Sequence, residues 1–248
     1  MKIPPRNSPE KPLICAENIV STKEIDLGPH RLTKAVLAFM PLKGMSDTFC
    51  ENNGRQLPMS HYWDTWVRED GTILAGPIFG GPMCAVVMEE LAACGVKYFI
   101  GYGASGTLDP GVPPCSIMVA DAGLCSDGTS KEYSDKSEVP ADAEMLERLR
   151  EAISQRGLPA ITGKVWTTDA IYREFPSTVS HWKKQGARFV NMDTSPLYAV
   201  AQEKGLKAAY LSAVSDNVSG EKWSGWFADF DRAMEHVCSI CLDVVETL

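Results

Sequence analysis

Short apolar runs alternate with segments of helical periodicity along most of this chain. Ala35-Val-Leu-Ala-Phe-Met40, Gly71–Pro77, Val96–Ile100, Ser116–Ala120, Ala160–Thr167, Ala187–Met192 and Lys207–Val214 read as strands. Met83–Cys94, Asp142–Gln155, Pro176–Gln185, Ser195–Glu203 and Trp226–Thr247 read as helices. Gly95, Gly157 and Gly205 stand where three of these helices should stop, because a glycine accepts the left-handed conformation of a helix end. Strand–helix alternation predicts an α/β fold with a parallel or mixed central sheet.

The 248 residues are enough to bury a core without disulfide staples. The first 30 residues, rich in proline and charge at their start, read as an N-terminal arm, and 31–248 as a single domain. A net charge of −8 argues against a nucleic-acid-binding face. No apolar run reaches the roughly 18 residues of a membrane span, and Met1–Arg6 lacks the apolar core of a signal peptide. The eight cysteines are scattered, which fits reduced thiols in a cytoplasmic protein. Neither a cofactor nor a metal is expected. Cys238-Ser-Ile-Cys241 sits in a helical pattern with no second pair at zinc spacing, and the histidines show no ligand spacing.

Gly101-Tyr-Gly-Ala-Ser-Gly106 matches G-x-G-x-x-G after a strand. The dinucleotide reading needs a helix to begin there, yet Asp109-Pro-Gly-Val-Pro-Pro114 follows. A tight loop bringing backbone N–H groups to a ligand fits better, with a plain turn as the other reading. Asn191-Met-Asp193 and Val214-Ser-Asp216 each end a strand, and ligands of open α/β sheets bind at the carboxyl ends of strands. Two acids so placed can share a site. Equally, Asp193 can cap a helix and Asp216 open a turn.

Several ordered segments carry a family likeness. They are Phe79–Leu91, Gly103-Ala-Ser-Gly106, Asp127-Gly-Thr-Ser130 with Tyr133, Gly163–Asp169 with Tyr172, Asn191-Met-Asp193 and Val214-Ser-Asp216. In these the chain resembles the nucleoside phosphorylases of the uridine phosphorylase and hexameric purine nucleoside phosphorylase type. The resemblance implies an α/β fold with a mixed, barrel-like central β-sheet flanked by helices, assembled as a homodimer or homohexamer. It also implies cleavage of a nucleoside's N-glycosidic bond. Asp216 then falls at the general acid that protonates the leaving base. Met192 and Asp193 fall at the ribose, where the family has Met-Glu. Trp166, with Val165 and Ser215, falls at the base. Phe175 and Ser177 stand where uridine phosphorylases carry the Gln and Arg that read uracil, so a purine-like base is favoured.

The phosphate site departs from that pattern. The family's G-D-P-x-R loop reads Pro41-Leu-Lys-Gly-Met-Ser46, the arginine before the glycine segment reads Gly101, and the phosphate-binding Ser or Thr reads Ala104. Tyr62 aligns with an arginine supplied by a neighbouring subunit. A desolvated dianion without cations is strongly disfavoured. Lys43 and the N–H groups of Gly103, Ala104, Ser105 and Gly106 are what remain for an acceptor or anion. The leading expectation is therefore cleavage with water or another non-phosphate acceptor, with Asp47 and His61 as candidates to activate water. One alternative is a true phosphorylase with a site rebuilt around Lys43, Arg55 or Arg68. The other is a non-catalytic nucleoside-binding or storage protein.

Overall fold

A computed structural model describes residues 12–23, 25, 31–40, 54–220, 222–225 and 228–248. Five strands close on themselves: β5 (Tyr98–Thr107), β10 (Lys207–Asn217), β6 (Ile117–Cys125), β8 (Ala160–Thr167) and β9 (Ala187–Asn191). The ring is mixed, with β5–β10, β6–β8 and β8–β9 parallel and β6–β10 and β5–β9 antiparallel. From β5 the sheet extends through β1 (Lys34–Ala38), β4 (Thr72–Gly76), β3 (Asp64–Val67) and β2 (Arg55–Gln56). The short strands β7 (Glu138–Pro140) and β11 (Ser224–Gly225) pair with β6 and β10. This is the mixed, barrel-like α/β architecture that the family resemblance implied.

Helices cover both faces. Packing of α2 (Gly80–Ala93) against α6 (Thr194–Glu203) encloses one core, with Phe99, Met118, Phe189 and Tyr210 inside it. A second core lies under α4 (Ala143–Gln155) and α7 (Phe230–Glu246). Alternate residues of β10 serve each core: Ala208 and Tyr210 enter the first, Ala209 and Leu211 the second. Side chains start α3 (Gly128–Tyr133) and α4, since Asp127 accepts from Ser130 N and Asp142 from Met145 N. Gly95, Gly157 and Gly205 all have positive φ at helix ends.

Boundaries differ from the sequence reading in physically sensible ways. α2 starts at Gly80, three residues before the expected Met83, because Pro82 is tolerated in a first turn. Within the expected arm, Ala16–Ser21 form α1, which packs on α2, and Lys23 pairs with Glu90. α5 (Pro176–Lys184) agrees with expectation, and α7 begins at Phe230 rather than Trp226.

The expected glycine loop is a correction. Gly101–Gly106 lie inside β5, paired along their length with β10. Their glycines serve close packing rather than a turn. A Cβ at Gly103 would stand 2.5 Å from the Tyr210 hydroxyl, and one at Gly101 would stand 2.8 Å from the Tyr210 ring. Hence no helix start or turn presents the N–H groups of this segment to a ligand.

Candidate active site

A cavity of about 730 Å³ opens where β5, β9 and β10 end. Asp193 enters it from the β9–α6 junction. Asn191 does the capping there: its Oδ1 accepts from the N–H groups of Asp193 and Thr194, both at 3.2 Å, and its Nδ2 donates to Thr194 Oγ1 at 2.8 Å. The Asp193 carboxylate makes no capping bond and is left for the cavity. Its Oδ2 accepts from the buried Tyr210 hydroxyl at 3.0 Å. Burial pushes this carboxyl up to about 7, while the Tyr210 hydrogen bond opposes the rise.

Asp216 arrives by a β-bulge. β10 pairs Val214 with Ser105 and then Asp216 with Gly106, leaving Ser215 as the extra residue. Ser215 and Asp216, consecutive in sequence, therefore both line the cavity. Ser215 Oγ donates to Asp216 Oδ1 at 2.6 Å, and Trp223 Nε1 donates to Oδ2 at 2.9 Å. Gly106 leaves room beside the carboxylate, since a Cβ there would lie 3.0 Å from Oδ2.

Met192, Asp193, Ala104, Ser105, Gly106, Ser215 and Asp216 are thus brought together around one space. Gly103 stands behind it, against Tyr210. Trp166 and Val165 are not brought to it. Trp166 is 2% exposed and stacks on Trp182, with ring centroids 5.9 Å apart and planes 13° apart. Val165, next along β8, points to the opposite core. A ring already stacked inside the protein is unavailable to a base, and this corrects the expected role of Trp166. Tyr62 is 85% exposed and lies outside the cavity lining, as does His61. Arg68 pairs with Glu246 at 3.6 Å, and neither it nor Arg55 lines the cavity. Lys43, Asp47 and the whole Pro41–Ser46 segment lie outside the described residues.

Among the lining residues that sequence reasoning did not place at the site are Ile171, Tyr172, Glu174 and Trp223. A 3₁₀ turn, Ile171–Arg173, connects β8 to α5 and sets Ile171 and Tyr172 at the cavity, 55% and 94% exposed. The signal was present: large apolar residues in a connection, where no core needs them. Glu174 follows them into the cavity. Burial, then the negative charge of Asp216, pushes its carboxyl up to about 7. No sequence pattern marked Glu174, since only the fold brings it near Asp216. Among the described lining residues there are three carboxyls and no lysine, arginine or histidine. The described residues contain no metal-binding cluster and no helix long and apolar enough to cross a membrane.

The phosphorylase superfamily model matches residues 64–248. The chain belongs to the phosphorylase superfamily. An uncharacterised protein of Acanthamoeba polyphaga mimivirus is 28% identical over 234 residues, covering 92% of this chain and 91% of that one. A guanosine phosphorylase of Halorubrum lacusprofundi is 30% identical over 154 residues, covering 61% of this chain and 63% of that protein. The latter match spans less than two-thirds of the relative. A solved AMP nucleosidase from Bacteroides thetaiotaomicron shares the fold, with a TM-score of 0.70 at 17% identity over 86% of this chain and 88% of that one. Membership makes this chain an enzyme of the phosphorylase superfamily type, in line with its motifs.

Proposed function

We propose that the enzyme cleaves the N-glycosidic bond of a purine-like nucleoside and passes the sugar to water or another non-phosphate acceptor. One observation carries the reading: a single cavity presents carboxyls from β9 and β10 beside an apolar wall and, among the described residues, no cation. Asp193 and Met192 hold the sugar, the carboxylate accepting its hydroxyls. Donors of that kind favour the charged form of Asp193 that burial disfavours. Ile171 and Tyr172 cover the base. Asp216 serves proton transfer to the departing base, so that a neutral rather than anionic leaving group forms. A phosphate dianion entering this acidic space would meet like charge, which supports an uncharged acceptor.

Phosphorolysis is the second reading, favoured by the phosphorylases among the relatives and by Lys43 in the segment that replaces the family's phosphate loop. We further propose a homodimer or homohexamer in which exposed Tyr62 faces a neighbouring copy. The deciding experiment is base release from a panel of purine and pyrimidine nucleosides, with and without phosphate. Release independent of phosphate, yielding free sugar, is expected. Strict dependence on phosphate with formation of a sugar 1-phosphate establishes the second reading. Binding without release establishes a nucleoside-binding protein.

A further inference from the structure

We propose that Glu174 and Asp216 act together as the acid, a carboxyl pair at one cavity in which Glu174 carries the proton that passes to the leaving base. This deepens the nucleoside-cleaving reading and rests on it. The two side chains reach the same cavity from unrelated elements, Asp216 from the bulge of β10 and Glu174 from the connection between the 3₁₀ turn and α5. Both carboxyls face one partly apolar cavity, and the charge of Asp216 raises the cost of ionising Glu174 there, so Glu174 is the carboxyl that keeps a proton.

Hydrogen bonding determines where that proton rests. Asp216 accepts from Ser215 Oγ on one oxygen and from Trp223 Nε1 on the other, so both of its oxygens are already engaged as acceptors. Burial, then the charge of Asp216, act on Glu174, and both push its carboxyl up. The surrounding charges do not reverse this assignment. Arg173, the adjacent cation, lies over the Phe175 ring at 4.5 Å. Asp193, from the β9–α6 junction, is another carboxyl and is engaged by Tyr210. His181 on α5 packs edge-on against Trp182 at 5.3 Å, and Tyr172 is the remaining titratable side chain of the lining.

The proton balance closes. As the C1′–N bond breaks, its electron pair stays on the base nitrogen, which takes the proton of the pair, and the base leaves neutral. The oxygen of the acceptor forms the new bond to C1′. The proton that oxygen releases returns to the carboxyl pair through solvent.

Glu174→Gln keeps the size of the side chain and removes the proton. The full-length variant is assayed on a purine nucleoside and on p-nitrophenyl β-ribofuranoside, whose leaving group departs as a stable anion. Expected is a loss of about 100-fold or more in kcat on the nucleoside, the usual range for a general acid. A far smaller loss is expected on the nitrophenyl riboside, with disappearance of the alkaline decline in kcat/KM near pH 7. Equal losses on both substrates, or none on either, overturn the proposal. A readout independent of turnover is the carboxyl titration of Glu174, followed by ¹³C NMR. Its midpoint should fall toward the ordinary glutamate range in Asp216→Asn, and a midpoint that does not move overturns the pairing. Wild-type enzyme that cleaves neither substrate defeats the nucleoside reading and the acid role together. Cleavage that ignores Glu174→Gln defeats the acid role alone.

Discussion

The Tyr210 hydroxyl donates to Asp193 Oδ2 across 3.0 Å, and Gly103 is what allows it to stand there. One oxygen of the carboxylate is thereby held from behind. Asp193 has a short side chain with a single free torsion beyond Cβ, so the orientation of its carboxylate rests on this bond. Hydrogen bonds to charged groups contribute roughly 1.5–3 kcal/mol. Tyr210→Phe should therefore lower kcat/KM for a nucleoside by about tenfold or more, mainly through KM. With the donor gone, Asp193 keeps its proton to higher pH, so the acidic limb of the binding profile should move upward. Steady-state kinetics across pH checks both outcomes.

Asp193 also sets a pH dependence of stability. In the folded chain its carboxyl titrates at about 7, above the ordinary 3.8. Between those values unfolding releases a proton, so the stability contribution present at low pH is lost as pH rises through about 7. Glu174 acts in the same direction from its ordinary 4.5. Asp193→Asn should flatten this decline and stabilise the empty protein at pH 8 by roughly 1–3 kcal/mol, while impairing sugar binding. Thermal denaturation at several pH values, alongside base-release assays, tests the trade.

Asp216→Asn should reduce turnover of a nucleoside by about 100-fold or more, the usual scale for loss of a general acid. Affinity should change little, because the amide still occupies the space beside Gly106. Single-turnover base release and calorimetric titration separate the two effects. Unaltered turnover removes Asp216 from the chemistry.

The base wall gives a paired comparison. Tyr172→Ala and Ile171→Ala remove exposed cavity-lining side chains and should weaken ligand binding by roughly 1–3 kcal/mol with little effect on melting temperature. Trp166→Ala removes a ring stacked in the interior and should cost roughly 3–5 kcal/mol of stability. Denaturation and calorimetry on the three variants distinguish a contact with the base from a contact within the core.

Much of this fold was legible because its elements are locally consistent. Asp142, Pro176, Gly157 and Gly205 mark helix ends by conformational rules that hold without tertiary context. The convergence of Asp193 and Asp216 was legible because both lie at the ends of strands that proved to share a barrel rim. The glycine segment misled because the spacing of Gly101, Gly103 and Gly106 suits a turn as well as a strand crowded by Tyr210 and Asp216. Only the sheet partners distinguish the two. Trp166 misled because a tryptophan beside a site carries the same sequence signal as one stacked on Trp182. Glu174 carried no local signal, since its burial and the charge of Asp216 that acts on it arise only from the fold.

The bulge at Ser215 has an evolutionary consequence. In an alternating strand, neighbours diverge, and a site residue can have no adjacent companion on the same side. The extra residue breaks that parity, letting a hydroxyl and the carboxylate it steadies sit side by side. Loss of a single codon there would restore parity and turn the Asp216 carboxylate away from the cavity, leaving the hydrophobic strand preceding it in phase. On the proposed reading, one in-frame deletion there would separate acid chemistry from binding while leaving the barrel in place.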